Sequence, residues 1–98
     1  MSGYLLKHHG KPATFVMDWT KGYLALGETV TADLGWCIWP SSRSGQELLV
    51  AEQNFTTSIS WARFAGGVPG RFYMVSNRVR TTGERVLGRG IVIRIAPG

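Results

Sequence analysis

RFYMVSNRVR (71–80) and RVLGRGIVIRI (85–95), separated by Thr81-Thr82-Gly83-Glu84, decide the fold of this chain. In the second run Ile91, Ile93 and Ile95 fall on one side, and Gly90, Val92 and Arg94 fall on the other. That is the period of two that a pleated strand imposes on its side chains. In the first run Tyr73, Val75 and Val79 share a face with Asn77. A hairpin of this kind has no independent stability in water and must cover its apolar face with a second sheet. The chain is therefore read as all-β.

Upstream of the hairpin, Val30, Ala32, Leu34, Trp36 and Ile38 alternate with Thr29, Thr31, Asp33, Gly35 and Cys37. This predicts a central strand with the first set in the core and with Trp39 turned outward on the side of Cys37. Ala13 to Met17 reads as a strand, and Glu47 to Glu52 as a brief one with Leu48 and Val50 facing one way. Gln53-Asn54-Phe55 reads as a bend. Thr56 to Phe64 is a strand with two apolar faces, Ile59 and Trp61 against Ala62 and Phe64, so its register stays open. Trp19, Tyr23 and Leu26 recur at helical spacing, interrupted by Gly22 and closed by Gly27, which predicts a short helical turn. Pro40 to Gly45 and Ala65 to Gly70 are turns, and Gly88-Arg89-Gly90 reads as a bulge.

Residues 1–12 form an N-terminal arm or first short strand ended by Pro12, and residues 13–98 form one domain. Roughly seven short strands with regular turn signals match an immunoglobulin-like antiparallel β-sandwich. The expected core contains Val30, Leu34, Trp36, Tyr73, Val75, Ile91 and Ile93.

A chain of 98 residues is long enough to bury a core without staples. Cys37 is its single cysteine, so no internal disulfide forms and secretion is not indicated. The two leucines near the N-terminus are followed by Lys7, His8 and His9, too short an apolar run for a signal peptide, and no stretch has the length of a membrane helix. Eleven basic residues against six acidic ones leave a net charge of +5, with Arg78, Arg80, Arg85 and Arg89 near the final hairpin. A basic stripe can meet nucleic acid or an acidic protein. With no consecutive basic run, arginines that solubilise the strands and guard sheet edges are the simpler reading.

Catalytic, cofactor and metal sites are not expected. Adjacent His8 and His9 point to opposite faces in a strand, and no further cysteine or histidine is spaced to complete a zinc site. Gly88-Arg89-Gly90 lacks the helix and the Lys-Ser/Thr pair of a phosphate loop. Trp19, Trp36, Trp39 and Trp61 with the tyrosines could stack bases, as oligonucleotide-binding barrels do, but a core role for Trp36 is the simpler account. An outward tryptophan near a strand end makes Trp39 a contact candidate for a partner surface.

Asp18-Trp19, Leu26-Gly27-Glu28-Thr29-Val30, Gly66-Gly67 before Gly70-Arg71-Phe72-Tyr73, and the ending through Ile91-Val92-Ile93-Arg94-Ile95 resemble the small immunoglobulin-like structural proteins of tailed bacteriophages. The resemblance spans about Met17 to Ile95 and departs from the pattern at bulky Trp36, Cys37 and Trp39. It implies a non-enzymatic virion protein, assembled in the host cytoplasm, with other virion proteins and further copies of itself as partners. Capsid decoration is the first expectation. A neck or tail component is the alternative, and a basic nucleic-acid-binding barrel is the alternative from another class. The expected partner interface comprises Tyr4, Leu5, Leu6, Trp39 and Arg43.

Overall fold

A computed structural model describes residues 3–8, 10–40 and 47–97. Seven strands run in chain order: β1 (Gly3–Lys7), β2 (Ala13–Asp18), β3 (Val30–Trp39), β4 (Leu49–Phe55), β5 (Ile59–Ala65), β6 (Phe72–Thr81) and β7 (Val86–Ile95). They form a four-stranded sheet, β1-β7-β6-β3, and a three-stranded sheet, β2-β5-β4. The groupings β7-β6-β3 and β2-β5-β4 are those of an immunoglobulin-type sandwich. One pairing departs from the antiparallel expectation: β1 lies parallel to β7, with Gly3 opposite Ile91 and Lys7 opposite Ile95.

Strand β6 alternates without exception, exposed and buried by turns from Phe72 to Thr81. Its inner residues Tyr73, Val75 and Val79 meet Ile91, Ile93 and Ile95 of β7, Ala62 and Phe64 of β5, Met17 of β2 and Trp19 in one core. Burying each of the valine, isoleucine, phenylalanine and methionine side chains among them stabilises the fold by about 1.5–3 kcal/mol. The open register of β5 resolves with Ser60, Ala62 and Phe64 inward. Tyr73 is fully buried, and its hydroxyl accepts from the Val68 N–H (3.1 Å) and donates to Glu47 (2.6 Å). This bond to backbone five residues upstream is the tyrosine corner of immunoglobulin-like folds. Burial raises the Tyr73 hydroxyl pKa above its ordinary value.

The structure corrects several expectations. Leu34 is 38% exposed, and Trp36 is half-buried rather than central, packed edge-on against Phe64 with ring centres 5.7 Å apart. The cause is a pair of register shifts in β3, between Val30 and Ala32 and between Asp33 and Gly35. Each inserts an extra residue, so Leu34 is displaced from the core face. Two single-residue shifts cancel, and Trp36 and Ile38 return to the inner face. Gln53-Asn54-Phe55 belongs to β4, paired with Ala62, Trp61 and Ser60 rather than bent away. Residues 88–90 hold regular register with β6 and form no bulge. Trp19 to Gly22 is a series of turns rather than a helix, closed by the Leu24 N–H donating to the Trp19 carbonyl at 2.9 Å.

Candidate functional site

The outward side chains of the four-stranded sheet fall into rows across the strands, fixed by the register. Leu6, Arg94 and Phe72 make the first row; Tyr4, Val92, Met74 and Trp39 make the second. Most of this half is large, apolar and open to solvent, with Trp39 69% and Met74 62% exposed. The Arg94 guanidinium lies 5.4 Å from the centre of the Phe72 ring, covering part of that apolar edge with a cation. An exposed apolar patch of this kind makes the face a candidate contact surface.

The third row is small: Gly90, Ser76 and Cys37 sit side by side on β7, β6 and β3. Small residues next to the bulky second row leave a groove of about 300 Å³, walled by Trp39, Met74 and Val92. The fourth row, Gly88, Arg78 and Gly35, raises one long side chain between two glycines, and Arg80 follows beside Val86. Among the described residues this outer face carries Arg78, Arg80 and Arg94 and no carboxylate.

At the end of the molecule where β6 turns into β7, a second arrangement fixes the loop before β3. The Glu28 carboxylate accepts from the Ala25 N–H (2.8 Å), the Thr81 hydroxyl and the Arg85 guanidinium, and Arg85 also donates to the Tyr23 carbonyl (2.8 Å). These donors, Arg85 foremost, push the Glu28 pKa down to about 2. The braced loop leaves Leu26 fully exposed at its tip. Arg89 is held separately, donating to the Asp18 carbonyl at 3.0 Å with its guanidinium 5.2 Å from the Tyr23 ring centre.

Of the residues singled out from sequence, Tyr4 and Trp39 share the second row, at its two ends, and Leu6 stands in the first. Leu5 does not join them. It lies opposite Ile93 and packs against the core, because successive residues of β1 face opposite ways. Arg43 and the rest of 41–46 lie outside the described residues, as does His9. Met74, Phe72 and Val92 were not foreseen as surface residues of interest. Their signal was present in the alternation of β6 and β7, since a tyrosine-valine inner face puts Phe72 and Met74 outside.

No curated protein matches the chain. The model of one protein family, described as podophage GP4 fiber-tail adaptor protein gp77, matches residues 7–94. That match runs from the end of β1 through nearly all of β7 and takes in both sheets, and the chain belongs to the podophage GP4 fiber-tail adaptor protein gp77 family.

Proposed function

We propose that this protein joins fiber to tail in the virion as a non-enzymatic adhesive, using the outer face of the four-stranded sheet. The family's description names fiber and tail. The expectation of a capsid decoration protein has no support in it, and the tail alternative fits better. The observation that carries the reading is the exposed row Tyr4, Val92, Met74 and Trp39, which crosses all four strands of one sheet. Apolar and aromatic side chains on a rigid sheet lose little conformational entropy on docking, and interfaces draw most of their affinity from such residues. Several copies at one junction would multiply each weak contact.

The test is an infection complemented with Trp39→Ser combined with Met74→Ser. The purified variant is expected to keep the stability of the parent protein, and the particles are expected to lack fibers. Particles with a full complement of fibers would contradict the reading.

A further inference from the structure

Resting on that reading, we propose that the surface received by the four-stranded sheet is an acidic protein surface, which seats a large apolar side chain in the groove beside Trp39 and sets carboxylates over Arg78 and Arg80. Three observations converge on this chemistry. Arg63, Arg71 and Arg85 each have a carboxylate partner, Glu52, Glu47 and Glu28 respectively. Arg78 and Arg80, exposed on the outer face, form no ion pair among the described residues. The outer face itself has no acidic side chain among the described residues to neutralise them.

Spacing adds the second part. Arg78 stands two residues beyond Ser76 on β6, about 7 Å from the groove floor, and Arg80 about 13 Å away. The groove thus has apolar walls on one side and, on the other, an arginine flanked by Gly88 and Gly35, with no neighbouring side chain in its row to shield it. A guanidinium so placed is open to bidentate pairing with a carboxylate. Opposite charges across a contact raise the rate of encounter and exclude wrong partners more than they deepen affinity, while the apolar anchor supplies the hold.

Basic and aromatic residues on one sheet also occur in single-strand nucleic-acid binders. There the stacking rings line a track that the backbone cations follow. Here Tyr4 and Trp39 lie at opposite edges of one row, and Arg78 and Arg80 lie together on β6 beyond the groove. This arrangement favours a protein partner.

The test uses particles assembled without this chain, incubated with the purified full-length protein and pelleted at salt concentrations from about 50 to about 500 mM. Arg78→Glu with Arg80→Glu is expected to weaken binding about tenfold or more at low salt and to flatten its salt dependence. Arg78→Lys with Arg80→Lys is expected to retain most of both, and circular dichroism checks that each variant folds. Should the double reversal fold poorly, Arg78→Gln and Arg80→Gln singly are expected to give the same direction with smaller loss. Normal binding by the charge-reversed protein, with loss on Trp39→Ser, would overturn the acidic partner and leave the adhesive face standing. Normal binding by both would overturn both. Self-association in sedimentation that disappears with Trp39→Ser, or equally tight binding of a thymidine oligonucleotide, would assign the groove to a second copy or to nucleic acid and overturn the proposal.

Discussion

The Ser60 hydroxyl on β5 donates a hydrogen bond to Oδ1 of Asn77 on β6, linking the two sheets through fully buried side chains. The bond is the middle of a chain. Trp19 Nε1 donates to Ser60 Oγ at 2.9 Å, and Asn77 Nδ2 donates to Asp33 Oδ1 at 2.9 Å and to the Gly35 carbonyl at 2.8 Å. Asp33 in turn accepts from the Gly35 N–H at 2.9 Å. The shifted stretch of β3 that displaces Leu34 is therefore held by the same polar network that aligns the sheets. A buried network is costly to leave half-satisfied.

Asn77→Ala removes the acceptor of the Ser60 hydroxyl, which keeps only the bond from Trp19, and takes the Asn77 amide donor from the Asp33 carboxylate and the Gly35 carbonyl. We expect a loss of about 2–4 kcal/mol, since each buried polar group left without a partner costs about 1–3 kcal/mol. Urea denaturation measures it. A loss below about 1 kcal/mol would show that the network is dispensable.

Gly67 and Gly22 make a matched pair of tests. Both have positive φ, 103° and 89°, but a Cβ at Gly67 would lie 2.5 Å from Cδ1 of buried Ile95, whereas one at Gly22 would meet nothing within 4 Å. Gly22→Ala is expected to cost about 1 kcal/mol from backbone strain alone. Gly67→Ala adds overpacking of the core, for about 3 kcal/mol or more in total. Equal melting temperatures for the two variants would contradict the packing described around Ile95.

Glu28 predicts an acid limb in the stability profile. Its pKa is pushed down to about 2 from an ordinary 4.5, so its ionised form is favoured by folding. Its contribution is fully present above about pH 4.5 and is lost as the pH falls toward 2. Glu28→Gln is expected to lower the melting temperature at neutral pH and to flatten the fall between those values. The Asp18 pKa is also lowered, by its hydrogen bonds from Thr20, so the readout is the difference between the parent and the variant. Parallel profiles would contradict the brace.

Deleting residues 2–9 is expected to destabilise the fold, because it removes an entire strand. Gly3 approaches Phe15 and Ile91, Leu5 packs on the core, and Lys7 is buried with its Nζ donating to the Gly66 carbonyl at 2.6 Å. A melting temperature unchanged by the deletion would show that β1 merely rests on the sheet.

The hairpin, the strand count and the outward turn of Trp39 were legible because β6 and β7 alternate cleanly and the two shifts in β3 cancel before Trp36. What alternation cannot reveal is a shift itself: Asp33 and Leu34 exchange sides only because the backbone gains residues there. Nor does it choose between two apolar faces, as in β5, where half-buried Ile59 and Trp61 rival Ala62 and Phe64. Polar Gln53 and Asn54 read as a bend because β4 is an edge strand whose residues face solvent. Strand β1 read equally well as an arm, since a five-residue run says nothing about its neighbour. Of the candidate surface, Tyr4, Leu6 and Trp39 were visible one by one; that they lie on one face follows from the parallel pairing of β1 with β7.

If, as proposed, the outer face of the four-stranded sheet holds this protein in place, a virion map resolving side chains at the tail will show that face covered. The chain is expected at the junction of fiber and tail, with Tyr4, Met74 and Trp39 covered by another protein. A map that finds the chain on the head, or at the junction with those three side chains in solvent, would contradict it.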